Sequence, residues 1–388
     1  MTQADSDSTT AIDANEMLHA LRGGMLAEMP RPVETMVSAG CAGSWYFEWI
    51  ERHYGRVPRH FGFEYYVKRP DDLPDNVVWI EDTCARMDAI PDGGADLVFS
   101  GQNIEHLWPD DTAAFLAEAS RIVRPGGWIV IDSPNRALTE KLAWRHPEHT
   151  VELTPSEMSD LLRVAGFTVT KCVGLWLCRD PADGRVLSFD PNVPAEGWSV
   201  PHRIAAARDR PDDSFIWWIE AQRNRAPPDP GAIRRQVDSV TAPVWATLLD
   251  RLAIGPGMTE EMRGGIPWIV AAPGDMRIAM FGPYAPMKPG KYRVEFVLDP
   301  KPGRTPDGDD SFAVLDVASG SDATVLTSIR ARGMDRAISL SFSLEQTTFG
   351  VQFRCLSLGK RAFAVRRRVT VTAESQLTRR RDWSLRRG

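Results

Sequence analysis

The sequence predicts an α/β doubly wound sheet followed by an all-β sandwich. Three observations carry this expectation. An apolar run ends in the small-residue turn Val37-Ser38-Ala39-Gly40-Cys41-Ala42-Gly43-Ser44, strand and helix patterns alternate from Thr35 to Gln222, and short runs divided by Pro, Gly and Asp follow Ile266.

The opening residues are polar. Glu16 to Leu21 with Met25 and Leu26 read as a short helix that Pro30 and Pro32 end. Thr35 onward is a first strand, Gly40 to Ser44 a tight turn, and Trp45, Tyr46, Phe47, Trp49 and Ile50 a helix apolar on more than one face. In a doubly wound sheet such a turn lies at the carboxyl end of the strand, where missing side chains let a nucleotide-like ligand approach the backbone. Arg59 to Tyr66 is a second strand. Its Glu64 lies about 20 residues past the turn, the separation at which this architecture places a carboxylate against ribose hydroxyls, and its oxygens act only as acceptors.

Val77 to Ile80 is a third strand leading to Glu81 and Asp82. Pro91-Asp92-Gly93-Gly94 is turn chemistry, Ala95 to Ser100 a fourth strand, and Ala113 to Val123 a helix that Arg124-Pro125-Gly126-Gly127 stops before a fifth strand, Trp128 to Asp132. Asp96-Leu97-Val98-Phe99-Ser100-Gly101-Gln102-Asn103-Ile104-Glu105-His106-Leu107, then Leu116 to Arg121, Val123 to Gly127, and Leu161 to Phe167, resemble the core of class I S-adenosylmethionine-dependent methyltransferases. The resemblance spans roughly Glu34 to Gln222 and implies a Rossmann-like, seven-stranded sheet with Phe215 to Ala221 as its last, antiparallel strand.

It also implies site residues. Ala39, Gly40 and Gly43 match the turn beneath the amino-acid part of S-adenosylmethionine, Glu64 the ribose carboxylate, Asp82 the acid beside the adenine, and Asn103 the methionine end. The chain departs from the family at Ser38, where Asp is usual, and at Ala42, where Gly is usual.

Methyl transfer to a hydroxyl requires loss of its proton, which a histidine near pKa 6.5 accepts. His106 and His149 are the candidate bases, and His146 neighbours the second. Glu105, His106 and His149, with Gln102 as an optional further member, are the alternative set for a divalent cation such as Mg²⁺, although Mg²⁺ prefers oxygen ligands. Asn135 and Arg136, after the fifth strand, are candidate substrate donors.

Ala226-Pro227-Pro228-Asp229-Pro230-Gly231 reads as a linker, and Ala232 to Ile254 as helical. The runs from Ile266 onward predict a sandwich or jelly roll. Phe281 to Val294 resembles the entry to β-sandwich modules attached to surface-polysaccharide glycosyltransferases and is similar to carbohydrate-binding modules. That resemblance implies a glycan ligand and a glycosyltransferase partner. Tyr284 is a candidate to stack on a sugar ring, against the commoner reading of an aromatic beside Pro283 as packing. The expected organisation is a leader and helix over 1–30, a methyltransferase domain over 31–225, a linker and helix over 226–264, the sandwich over 265–375 and a basic tail over 376–388.

Five scattered cysteines without a C-x-x-C pair point to neither a zinc site nor a disulfide framework, and a net charge of −6 speaks against a general nucleic-acid binder. The polar start lacks the pattern of a signal peptide, and no apolar run reaches the ~18 residues of a membrane span. The expectation is a cytoplasmic protein whose arginine-rich tail reads first as a solvated terminus, with contact to anionic lipid or a lipid-linked glycan at the inner membrane face as the alternative. The leading function is O-methylation of a sugar or glycan intermediate in surface-polysaccharide assembly. Its rivals are a non-catalytic glycan-binding scaffold with a degenerate cofactor site and an NAD-dependent oxidoreductase, the latter disfavoured by the absence of G-x-G-x-x-G.

Overall fold

The computed structural model describes residues 11–65, 67–142, 146, 149–225, 228–248, 252–302, 309–320 and 323–373, and the predicted basic tail at 376–388 lies outside them. The chain divides into two compact units. Met1–Arg145 with Val151–Thr241 forms the first, and His146–Thr150 with Ala242–Gly388 the second.

The first unit opens with α1 (Ala14–Ala27), whose N-terminus is capped by the Asp13 carboxylate accepting from the amides of Asn15 and Glu16. Then follow β1 (Thr35–Ala39), α2 (Ser44–His53), β2 (Arg59–Phe63), β3 (Val77–Ile80), β4 (Ala95–Gly101), α3 (Pro109–Ile122), β5 (Val123–Pro134), α4 (Arg136–Thr139), α5 (Pro155–Val164), β6 (Phe167–Gly174), α6 (Val200–Ala207) and β7 (Ile216–Arg223). The sheet order is β3-β2-β1-β4-β5-β7-β6. All neighbours are parallel except at β7, which runs against both β5 and β6. This is the Rossmann-like methyltransferase sheet that the resemblance implies, with its antiparallel last strand.

One local expectation is corrected. Arg124-Pro125-Gly126-Gly127 does not separate helix from strand, because α3 ends at Ile122 and β5 begins at Val123. The β4 ladder pairs Ala95 with Val123 and Leu97 with Trp128, so the Pro-Gly-Gly run is accommodated as an irregularity inside the strand pairing.

Because β7 returns against β5, with Ile216 opposite Pro134, the long connection over 175–215 emerges at the edge where the parallel strands end. That connection is pinned by Arg203. Its buried guanidinium donates to the carbonyls of Leu177 and Ser188 and lies 3.7 Å from the centre of the Trp176 ring.

The second unit follows α7 (Pro230–Leu248) with β8 (Ala253–Ile254), β9 (Thr259–Arg263), β10 (Ile266–Ala271), β11 (Ile278–Phe281), β12 (Pro283–Met287), β13 (Gly290–Pro300), β14 (Ser311–Ser319), β15 (Thr324–Arg332), β16 (Ala337–Leu344), β17 (Thr348–Ser357), β18 (Phe363–Arg366) and β19 (Thr370–Ala373). They form two antiparallel sheets. One is ordered β16-β13-β18-β10-β9 with β19 on β13, the other β15-β14-β17-β11-β8 with β12 on β17. Strict alternation along β16 and β13 sends Leu340, Phe342, Val294 and Phe296 into one core with Phe312 and Phe353 of the other sheet.

Within the first unit, Ser38 of β1 is fully buried and its Oγ lies 2.8 Å from Nε2 of His60 on β2, whose ring meets Phe47 edge-on. Burial lowers the His60 pKa to about 3. The imidazole therefore stays neutral in the fold, while the unfolded chain protonates it below about 6.5. Its contribution to stability is lost as pH falls from about 6.5 towards 3, at no more than about 1.4 kcal/mol per pH unit. Denaturant unfolding at pH of about 6.5 and about 5 should therefore show a pH dependence about 1.6 kcal/mol smaller for His60→Gln than for the parent. Equal pH dependence in the two proteins would refute the assignment.

Candidate functional site

The parallel strands β1, β2 and β4 end beside one another, and backbone bonds hold the residues that follow them. The Gly40 amide donates to the Phe63 carbonyl at 3.0 Å, and the Glu64 amide to the Ile80 carbonyl at 3.0 Å. Gly40 has φ +74°, and a Cβ there would lie 2.4 Å from Oδ1 of Asn103, so this position requires glycine for both its conformation and its neighbour. Gly43 (φ +110°) forms the N-cap of α2 and has open space on its side-chain side, with Trp45 nearest at 3.8 Å.

Glu64 is buried, and its Oε1 accepts from the Val67 amide at 3.1 Å. Asn103 donates from Nδ2 to Oγ of Ser100 at 3.3 Å and towards Sγ of Cys84 at 3.6 Å. The structure thus brings Gly40 and Asn103 into contact and holds Glu64 at the adjoining strand end. Asp82 stands past β3, where it accepts from the Thr83 amide and from Arg86. The Arg86 bond is the largest influence holding its carboxyl below the usual range.

Two buried thiols border this turn. Burial, then the Glu64 carboxylate and Cys84, push the Cys41 thiol far up, and burial pushes that of Cys84 up to about 12. Neither is a nucleophile near neutral pH, since the thiolate is the reactive form.

At the end of β5, Asp132 is fully buried and takes the Nε of Arg22 at 2.5 Å. Its Oδ1 accepts from the Gln102 amide at 2.8 Å and from Nε2 of Gln102 at 3.0 Å, and its carbonyl accepts from the same amide. These bonds hold Gln102 at φ +54°. Burial works against the charge on Arg22, and the Asp132 carboxylate outweighs it, leaving the guanidinium more firmly protonated than usual. Arg22 also lies 5.3 Å from the Trp49 ring centre and beside Nδ1 of His19, whose ring meets Trp45 edge-on at 5.6 Å. Burial, then Arg22, lower the His19 pKa.

The connection over 175–215 grips α1 and the residues before it. Asn192 exchanges hydrogen bonds with the backbone of Ile12, and Arg208 pairs at 2.6 Å with Glu28 at the end of α1, a carboxylate that Lys171 of β6 also meets at 2.6 Å.

Arg22 and His19 escape the sequence reading, which names Gln102 only as a further member of the cation set, whereas the structure engages it with Asp132. The available signal is one arginine among Leu18, Met25 and Leu26 on the buried face of an amphipathic helix, a position where a charge needs a partner. Asn135 and Arg136 are not free substrate donors. Asn135 is fully buried with Nδ2 shared among the carbonyls of Pro211, Asp212 and Ser214, and Arg136 is engaged by the Glu152 carbonyl and the Glu157 carboxylate. His106 ends the 3-10 turn Ile104–His106 after β4, where its amide donates to the Asn103 carbonyl. His149 lies in the segment that groups with the second unit, its ring stacked on His146 at 4.6 Å.

Residues 37–131 match the family model described as a methyltransferase domain. A probable S-adenosylmethionine-dependent methyltransferase of Mycolicibacterium smegmatis is 39% identical over 89 residues, covering 22% of this chain and 34% of that protein. One of Mycobacterium tuberculosis is 37% identical over 89 residues, 22% of this chain and 32% of that protein. The chain thus spans about a third of the length of the curated relatives it matches. A solved complex between the Haloferax volcanii Trm112 methyltransferase activator and the putative methyltransferase contains a chain 18% identical to this one. It covers 55% of this chain and 91% of that chain at a TM-score of 0.39.

Removing one partner of a buried ion pair leaves a desolvated charge, so Arg22→Met and Asp132→Asn should each cost about 3–5 kcal/mol in denaturant unfolding. The double variant should be clearly less destabilised than the sum, because neither charge is stranded. Additive losses would show that the two groups do not depend on each other.

Proposed function

We propose that this protein is an S-adenosylmethionine-dependent methyltransferase that O-methylates a sugar or glycan intermediate of surface-polysaccharide assembly. The observation that carries the methyl-transfer part is the meeting of Gly40 and Asn103, with Glu64 beside them, within the stretch that matches a methyltransferase domain. The glycan part rests on the β-sandwich that follows and on its resemblance to glycan-associated modules.

The cofactor, when bound, supplies a methyl group already activated on a sulfonium. The residues present fit it. The backbone of Ala39, Gly40 and Gly43 offers close approach without side chains, and Glu64 retains acceptor chemistry suited to ribose hydroxyls. Asp82 serves the adenine end and Asn103 the methionine end. His106 accepts the proton of the acceptor hydroxyl as its oxygen gains the methyl group, and His149 is the rival for that role. Holding the acceptor oxygen in line is the larger part of the task.

A cytoplasmic location with the arginine-rich tail at the inner membrane face, beside a glycosyltransferase, accords with this reading. Among the described residues no helix is long and apolar enough to cross a membrane. Ser38 and Ala42 favour a second reading, a glycan-binding scaffold with a decayed cofactor site.

Calorimetry separates the two. S-adenosylmethionine should bind the parent protein and bind at least tenfold more weakly to Gly40→Ala, whose new Cβ displaces Asn103, and to Glu64→Gln, which loses a carboxylate. No heat with either S-adenosylmethionine or S-adenosylhomocysteine near millimolar concentration would favour the scaffold.

For catalysis, His106→Ala should lower turnover by about 10²–10⁴-fold with cofactor affinity retained, while a chelator leaves turnover unchanged. Full activity in His106→Ala with loss in His149→Ala would transfer the base to His149. Loss on chelation, restored by Mg²⁺, would favour a cation held by Glu105, His106 and His149.

A further inference from the structure

The amino-acid end of S-adenosylmethionine carries an ammonium and a carboxylate, and the side chains assigned around the glycine turn offer it acceptors only. Glu64 and Asp82 are carboxylates. Asn103 spends its Nδ2 on Ser100 and Cys84, so the atom it turns towards Gly40 is Oδ1, 2.4 Å from where a Cβ on that glycine would lie. The Gly40 amide is taken by the Phe63 carbonyl. An acceptor suits the ammonium and repels the carboxylate, which still needs a donor.

A donor stands on α1. Nδ1 of His19 lies 3.3 Å from Nη1 of Arg22, and a guanidinium nitrogen only donates, so Nδ1 is the accepting nitrogen. Burial and then Arg22, against the weaker pull of Asp132, lower the His19 pKa and keep the imidazole neutral, which leaves its one ring proton on Nε2. Among the described residues Nε2 has no hydrogen bond. Arg22 can impose this tautomer because its own Nε is fixed on the Asp132 carboxylate at 2.5 Å.

The ring also stands beside the turn. It meets Trp45 edge-on at 5.6 Å and Trp49 at 6.2 Å, both on α2. Trp45 is tied to the turn itself, since its Nε1 donates to the Ala42 carbonyl at 2.9 Å and its ring is the nearest group to the open side of Gly43, at 3.8 Å. His19 is half-buried rather than sealed, and it flanks the backbone that the cofactor reading uses.

We propose that the Nε2–H of His19 holds the α-carboxylate of the methyl donor, with Arg22 as the positioning residue that keeps the imidazole in its donating tautomer. This rests on the methyl-transfer reading above and names how that site grips its cofactor. A neutral donor fits a zwitterion better than a second cation, which would repel the ammonium beside it. The same tautomer removes His19 from the candidate bases, because its one ring lone pair faces Arg22.

The test is calorimetry on the full chain with S-adenosylhomocysteine and with methylthioadenosine, which keeps the nucleoside and the sulfur but lacks the amino-acid end. His19→Ala should bind S-adenosylhomocysteine about tenfold or more weakly and methylthioadenosine within about twofold of the parent, which also shows that the variant is folded. His19→Gln, which keeps a donor, should recover most of the loss. Nitrogen NMR of the labelled protein should show His19 with Nδ1 unprotonated and Nε2 protonated, and the Nε2 signal should move with S-adenosylhomocysteine but not with methylthioadenosine. Unchanged affinity for S-adenosylhomocysteine in His19→Ala, equal losses for both ligands, or a proton on Nδ1 would overturn the proposal and leave the methyl-transfer reading intact. Binding of neither ligand to the parent would overturn that reading and this inference with it.

Discussion

The ion pair between Arg22 and Asp132 is the constraint on which the first unit's working edge depends. A carboxylate at the end of a central strand, stripped of water, is stable only if its charge and lone pairs are met. Arg22 meets the charge from α1, and Gln102 meets the remaining oxygen from the turn after β4. Gly101, the last residue of β4, leaves room for the arginine: a Cβ there would lie 2.4 Å from its Nη2. One buried acid therefore fixes a helix from the beginning of the chain, the exit of β4 and the end of β5 relative to one another. Asn103, next to Gln102, inherits its position over Gly40 from the same arrangement.

The departures from the family pattern look different once the neighbours are in view. Where an acid is usual, Ser38 is enclosed with a neutral histidine from the adjacent strand. An aspartate at this buried place would have to share the space with His60, and the pair would carry charge into a core lined by Phe47 and Tyr46. Serine and a neutral imidazole satisfy each other without charge. The loss of the acid is thus coupled to His60 and need not mark decay of the turn beyond it. Ala42 has no such compensating partner, and it remains the plainer argument for the scaffold reading.

Much of this was legible in the sequence, because periodic apolar strands and glycine turns are local signals. β1, β3 and β4 appear where the pattern puts them, and α5 and β7 where the family resemblance puts them. The rest depends on distant partners. Nothing near Arg22 announces Asp132, which is 110 residues away. Asn135 reads as an exposed loop donor until β7 returns and brings the carbonyls of Pro211, Asp212 and Ser214 to it. The Pro-Gly-Gly run after α3 misleads for the opposite reason. Its local chemistry favours a turn, and the β4 ladder absorbs it as an irregular strand pairing.

Backbone strain separates the two places where this chain departs most from easy conformations. Among the described residues other than glycine, positive φ occurs at Gln102, Tyr284 and Ala323. Ala323 stands just before β15, its amide donating to the Gly320 carbonyl at 3.3 Å. Gln102 has visible compensation in three hydrogen bonds to Asp132, so its conformation follows from the ion pair that organises the edge. Tyr284 meets Phe281 edge-on and lies near Arg354, at a bulge in the pairing of β12 with β17. A strained backbone persists where its surroundings over-determine it or where its use outweighs its cost. The bulge explains why an extra residue is accommodated there, but glycine would serve the bulge better than tyrosine. The contrast with Gln102 is plain: one positive φ is tied to a buried ion pair by hydrogen bonds, the other sits at a bulge where the strand pairing shifts.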